Sequence, residues 1–235
     1  MDRKLFIEGQ PVLIKSTLWR RFLQNVNYLL SIYTFKGSNR LRRLFDKLLI
    51  LKVEGPVLIS TKYGFDMICM DPITDKGVER PLFLNGTYEA GTLDIIGKCL
   101  REGDTFIDVG ANIGLMSIFA SKIVGSNGIV YAFEPEPETF VILRKNIEIN
   151  KINNIQAYNI GLGESGYNSI IFTNPYAGRG GASLIEPLNQ KKSRKYQIFI
   201  KKLDDIILKY NSKKIKMLKI DVEGLPLPYF NLYIL

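Results

Sequence analysis

Phe106-Ile107-Asp108-Val109-Gly110-Ala111-Asn112-Ile113-Gly114 decides the fold. The stretch begins as an apolar run suited to a buried strand, and Leu115 to Val124 continues it with helical character, so the glycine-bearing part is a turn from strand into helix. Gly110 leaves no Cβ between backbone and ligand, Asn112 is among the few non-glycine residues that tolerate positive φ, and Gly114 lets the helix come close to the strand. A dinucleotide fingerprint, GxGxxG, would need glycine at 110, 112 and 115. Asn112 and Leu115 stand at two of those positions, which disfavours NAD.

Charge narrows the ligand further. Asp108, two residues before Gly110, would repel a pyrophosphate, whereas S-adenosylmethionine offers an ammonium and a sulfonium that a carboxylate stabilises directly or through water. The next strand ends in Ala132-Phe133-Glu134-Pro135, and Glu134 falls twenty residues beyond Gly114, the spacing at which an acid meets ribose hydroxyls. Pro135 keeps Glu134 extended and ends the strand. Alone, Asp108 could be a turn-capping carboxylate and Glu134 a solvated strand end. At the ends of consecutive strands, with the gapped glycine turn between, they predict S-adenosylmethionine binding.

Outward from this turn the elements alternate. Strand Thr105 to Val109, helix Leu115 to Val124, strand Ile129 to Glu134, helix Pro137 to Ile149 and strand Ile155 to Ile160 form a parallel α/β unit, with Ile215 to Val222 as its fourth strand. The segment from Ser169 to Ile200 reads as an inserted hairpin around a loop with Gly178, Gly180 and Gly181, followed by a short helix from Leu203 to Tyr210. On the N-terminal side a helix spans Thr92 to Leu100 with Thr92 as its cap, and Val57 to Thr61 with Met67 to Met70 forms a small antiparallel β element. Two amphipathic helices are predicted between Ser16 and Leu51. The domains are therefore an N-terminal helical segment over 1–52, the small β element over 53–90 and the cofactor-binding core over 91–235.

The 235 residues contain no histidine, which excludes Ser/His/Asp triads, Cys/His dyads and His-ligated metals. Cys69 and Cys99 are far apart and form no CxxC, so neither a metal site nor a disulfide framework is expected, and a reduced, cytoplasmic setting fits. The net charge of +9 is uneven. Residues 1–50 carry ten Lys and Arg against three Asp and Glu, residues 51–190 carry eleven against sixteen, and residues 191–217 carry ten against two. Such blocks can attract phosphates, but solvated lysine faces are the commoner outcome, and no specific nucleic-acid partner is expected. The first residues lack the apolar core and cleavage site of a secretory signal, and the longest mostly apolar stretch, near Tyr28 to Phe35, falls short of the roughly 20 residues a bilayer span needs. Trp19, Arg20 and Arg21 beside the apolar stripe would suit a helix lying on an anionic membrane, a peripheral contact weighed against packing of that helix on its own domain. Packing is the preferred reading.

Several motifs in order resemble one family. Tyr88-Glu89, the Asp108 to Gly114 turn, Tyr131-Ala132-Phe133-Glu134-Pro135, Leu143 to Asn150 and Leu218-Lys219-Ile220-Asp221-Val222-Glu223-Gly224 are similar to FkbM-type S-adenosylmethionine-dependent methyltransferases, over about residues 80 to 224. The resemblance implies a class I methyltransferase fold, a Rossmann-like parallel sheet of order 3-2-1-4-5-7-6, and methyl transfer to a hydroxyl of a sugar, glycan or small metabolite. Adenine would lie between Pro135 and Asn159-Ile160-Gly161. The resemblance also implies that Glu89 helps to close the donor pocket, although it could equally cap the helix at Thr92. An acceptor hydroxyl must lose its proton as it attacks, and without histidine a carboxylate is the base. Asp221, on one face of its strand with Lys219 and Glu223, is the candidate. Its structural alternative is a salt bridge to Lys219 or Lys216.

After Gly224 the pattern of the family stops. Pro226 and Pro228 prevent a helix, and too few residues follow to supply strands five to seven, so the sequence reads as a methyltransferase cut short. An inactive remnant and a nucleic-acid methyltransferase using the basic blocks are the alternatives to an active O-methyltransferase.

Overall fold

A computed structural model describes residues 6–7, 10–14, 22, 25–26, 29–30, 33, 35, 37–50, 55–173, 181, 183–184, 193–207 and 215–222. The described residues up to Ala90 form one compact unit and those from Gly91 onward a second.

In the first unit, β1 (Phe6–Ile7) pairs antiparallel with β2 (Gln10–Pro11), and β3 (Leu13–Ile14) is followed by helix α1 (Ser38–Ile50). β4 (Val57–Ser60) lies between β3, to which it is parallel, and β5 (Asp66–Cys69), to which it is antiparallel with Val57 opposite Cys69. The turn between β4 and β5 closes on itself: the Thr61 hydroxyl donates to the Phe65 carbonyl at 2.8 Å. The antiparallel element is thus present. Helix α2 (Glu79–Asn85) was not anticipated, because Pro81 argues against a helix unless it sits in the first turn, as it does here. The strands before residue 15 were also unanticipated, being too short to show alternation. Of the two helices expected between Ser16 and Leu51, the second is α1; the first is described only at 22, 25, 26, 29 and 30, which are helical, and Trp19, Arg20 and Arg21 lie outside the described residues.

Helix α3 (Ala90–Cys99) begins two residues earlier than expected, so Thr92 is inside it rather than at its cap. There follow β6 (Thr105–Val109), α4 (Leu115–Val124), β7 (Ile129–Phe133), α5 (Pro137–Ile149), β8 (Ile155–Tyr158), β9 (Gly161–Leu162), β10 (Tyr167–Thr173), β11 (Arg194–Lys201), α6 (Leu203–Ile207) and β12 (Ile215–Ile220). β12, β6, β7 and β8 form one parallel sheet in that order, which is the expected 4-1-2-3 half of the doubly wound topology. β6 and β7 sit at its centre and nearly every side chain on them is buried, hence their near-continuous apolar sequences. On one face Ile107, Val109, Tyr131 and Phe133 pack with Ile206 and Ile207 of α6; on the other Ala132 packs with Ala111 and Leu143 of α5. The expected insertion is a hairpin of β10 and β11, extended by β9, which runs parallel to β11. Arg194 and the Tyr196 hydroxyl hold Glu138 of α5 at 2.8 and 2.6 Å. Gly178 and Gly180, and residues 223–235 where the family pattern breaks, lie outside the described residues.

One glycine ties the sheet to the turn. Gly110 has φ 75°, and a Cβ there would come within 1.9 Å of the Asp221 carbonyl oxygen, so the end of β12 occupies the space a side chain would need. Gly110→Ala should therefore cost at least about 2 kcal/mol of stability, backbone strain and clash together. Gly103→Ala, at φ 84° with nothing within 4 Å, should cost only about 1 kcal/mol. Urea denaturation of the two variants checks the difference.

Candidate functional site

β6, β7 and β12 are parallel and in register, so Val109, Phe133 and Ile220 end together at one edge of the sheet. Open α/β sheets take ligands outside the carboxyl ends of their strands, and the glycine turn lies at that edge. The Gly110 and Ala111 N–H groups both donate to the Phe133 carbonyl at 3.0 Å, which pulls the turn over the end of β7. Gly110, Asn112 and Gly114 have φ of 75°, 51° and 94°, and the Asn112 amide oxygen accepts from the Ile113 N–H at 2.8 Å. Asn112 thus adopts the left-handed backbone its residue type allows. Gly114 serves a neighbour other than the expected strand: a Cβ there would meet Leu143 Cδ1 of α5 at 2.5 Å. The close approach is helix to turn.

Three carboxylates mark the strand ends. Asp108, fully buried, accepts from the Ser117 hydroxyl at 2.6 Å and from Lys219 Nζ at 3.2 Å. Lys219 also donates to the Gly110 carbonyl at 3.2 Å and lies 3.5 Å from Asp221 Oδ2. Its side chain is 11% exposed while that of Asp221 is 55% exposed, so one nearly buried ammonium joins a buried carboxylate to an open one. The Asp221 N–H donates to the Val109 carbonyl at 2.9 Å, fixing the backbone of Asp221 at the end of β6. The bridge to Lys219 that sequence offered as an alternative role for Asp221 is present, and it leaves the carboxylate accessible.

Glu134 is buried at the end of β7. One of its oxygens accepts the Asn112 N–H at 2.8 Å, the other the Glu136 N–H at 2.9 Å. Burial pushes its carboxyl up to about 7; the two backbone donors oppose this, and the charges of Glu136 and Asp108 add to it. Rather than a solvated strand end, Glu134 is a clamp on the turn. Glu136 accepts from the Thr139 hydroxyl at 2.6 Å. The Asn159 amide donates to the carbonyls of Glu134 and Pro135 at 2.8 and 3.0 Å, which sets Asn159 beside Pro135.

The structure therefore brings together Asp108, Gly110, Asn112, Gly114, Glu134, Pro135, Asn159 and Asp221. Glu89 belongs to the first unit, where it is exposed at φ 47°. Sequence reading missed Ser117 and Glu136, and it set Lys219 beside Asp221 without its bond to Asp108. Lys219 was visible as the residue alternating with Asp221, Ser117 as a hydroxyl in the first turn of α4, and Glu136 as the residue after Pro135. Asp108 and Asp221 flank the ammonium of Lys219, and Glu134 feels the charges of Glu136 and Asp108, so the acids around the turn outnumber this ammonium among the described residues, which suits a cationic ligand and disfavours a pyrophosphate. Among the described residues no group of three or more acidic or cysteine side chains is placed to hold a metal.

Comparison with known proteins finds a methyltransferase family. The family model described as the methyltransferase FkbM domain matches residues 108–231. A protein named Methyltransferase 1 from Beauveria bassiana is 30% identical over 164 residues, covering 63% of this chain and 62% of its own. The 31-O-demethyl-FK506 methyltransferase FkbM of Streptomyces tacrolimicus is 48% identical over 50 residues, 21% of this chain and 19% of its own. Among solved structures, a SAM-dependent methyltransferase from Aquifex aeolicus is 29% identical with a TM-score of 0.26, covering 29% of this chain and 36% of that one.

The raised Glu134 carboxyl has a stability consequence. Its folded value of about 7 lies above the ordinary 4.5, so between these the folded state binds more protons than the unfolded one, and stability falls as pH rises through that window. Glu134→Gln, which cannot titrate, should show a smaller loss between pH 5 and pH 8 than the unaltered chain when urea midpoints are compared.

Proposed function

The chain belongs to the FkbM methyltransferase family, and from that premise we propose that it transfers a methyl group from S-adenosylmethionine to a hydroxyl oxygen of a sugar, glycan or small metabolite. The supporting observation is an accessible carboxylate, Asp221, held beside the glycine turn by Lys219 and by the Val109 carbonyl. For oxygen as the acceptor atom, support comes from the Streptomyces relative, whose name specifies a 31-O-demethyl acceptor. The chain spans 62% of the length of the Beauveria relative, and the reading concerns the part it shares.

The residues fit the cofactor. Each oxygen of Glu134 accepts one backbone N–H, and a carboxylate oxygen has a second lone pair, so both retain capacity for ribose hydroxyls. Pro135 and Asn159, hydrogen-bonded to one another, would border the adenine. The acid-rich set of Asp108 and Glu134 suits the positive charge of the donor, and Asp108 also orients Lys219. When bound, S-adenosylmethionine supplies an electrophilic methyl on a sulfonium. Asp221 would accept the proton of the acceptor hydroxyl as that oxygen bonds to the methyl carbon and the carbon–sulfur bond breaks, leaving S-adenosylhomocysteine. Lys219 keeps the carboxylate turned toward the glycine turn and offsets part of its repulsion by Asp108. The free thiols of Cys69 and Cys99 are consistent with a cytoplasmic setting.

Calorimetry with S-adenosylhomocysteine tests donor binding. Glu134→Ala should weaken it about tenfold or more, by loss of hydrogen bonds to the ribose and of the clamp on Asn112. Asp221→Asn should bind within about threefold of the unaltered chain yet transfer labelled methyl to a hydroxyl acceptor about a hundredfold more slowly, the scale of a lost general base. Absence of binding to the unaltered chain would remove the reading altogether.

A further inference from the structure

Six of the fourteen large hydrophobic side chains that are exposed among the described residues fall between 22 and 44: Phe22, Leu29, Tyr33, Phe35, Leu41 and Leu44. Tyr33 is 68% and Leu44 54% exposed. In α1 the exposure has a pattern. Leu41 and Leu44 are three residues apart and form one ridge; Arg40 and Arg43, also three apart and also exposed, form the ridge beside it. Phe45, Arg42 and Asp46 are less exposed, so the helix packs by another side. The packing expected of the helix with Trp19, Arg20 and Arg21 lies outside the described residues, but in α1 Leu41 and Leu44 are exposed.

We propose that α1 forms a docking surface for an anionic lipid bilayer. Residues 1–50 carry ten basic against three acidic side chains, which matches the sign of acidic headgroups. An interfacial helix sinks leucine and aromatic side chains to the acyl boundary while adjacent arginines reach headgroup phosphates, and that needs the two ridges side by side as they are here. Nucleic acid would pair the arginines but leave the leucines in water, since aliphatic side chains offer bases no stacking platform. A second copy of the chain would cover the leucines but set arginine rows of like sign together. The bilayer surface satisfies both ridges at once. At 13 residues, about 20 Å, α1 can lie on a membrane but not cross it, and no described helix is long and apolar enough to do so.

Cosedimentation of the full chain with vesicles tests this independently of methyl transfer. Vesicles of phosphatidylcholine with phosphatidylglycerol should bind the chain and phosphatidylcholine alone should bind it far less, with the difference shrinking as salt is raised. Arg40→Gln with Arg43→Gln should lower partitioning roughly tenfold or more, and Leu41→Ser with Leu44→Ser roughly tenfold. Far-UV circular dichroism and urea midpoints should not move, because all four side chains are exposed. The proposal is overturned if phosphatidylglycerol vesicles fail to bind the chain, or if both double variants bind them as well as the unaltered chain. It is equally overturned if the leucine pair controls concentration-dependent dimerisation in place of vesicle binding, or if the arginine pair binds a single-stranded RNA oligonucleotide that vesicles do not displace.

Discussion

The second unit is organised around one ammonium group. Lys219 stands between a carboxylate with no exposure, Asp108, and one in water, Asp221, and donates as well to the carbonyl of Gly110. A carboxylate taken fully out of water is costly unless it is paired and hydrogen-bonded, and Asp108 meets both conditions only because Lys219 and Ser117 reach it. Such a pair adds little net stability over an apolar one of the same shape. What it contributes is placement. A one-residue slip of β12 along β6 would turn its side chains to the other face, and the register with Lys219 opposite Asp108 brings the ammonium to the carboxylate and the Asp221 N–H to the Val109 carbonyl. The glycine at 110 then permits the approach that this register demands.

The same economy is visible at β7. Glu134 is turned inward to hold the backbone of Asn112 and Glu136, so the group expected to meet a ligand is also what shapes the turn around it. Because both roles use the charged carboxylate while burial disfavours charge, the site carries internal tension that a ligand donating hydrogen bonds would relieve. A donor with ribose hydroxyls and positive charge is the kind of molecule that does so.

Much of this was legible in the chain. β6, α4 and α5 fall at their expected bounds because their signals are local: a continuous apolar run, a proline at the first helical position, a glycine past the last. The left-handed Asn112 was legible for the same reason. The partner of Asp108 was not, since Lys219 lies 111 residues away and nothing local distinguishes a lysine that will be buried from one that will be solvated. The neighbour of Gly114 was misread because a small residue announces close approach without saying to what; here it is Leu143 on α5. Helix α2 was hidden by Pro81, whose usual reading as a breaker fails in a first turn.

Net charge was the least informative quantity of all. A value of +9 suggests an anionic ligand, yet the site at the strand ends is acid-rich and suits a cation, while the basic excess lies in residues 1–50 and 191–217. At physiological ionic strength exposed charges are screened within about 8 Å, so what a ligand meets is the local set of groups and not their sum over the chain. A cationic donor at the carboxyl ends of β6, β7 and β12 and an anionic surface against the arginines of α1 are therefore compatible demands on one polypeptide. Each is answered by side chains that the other never meets in sequence, and the sum that merges them describes neither.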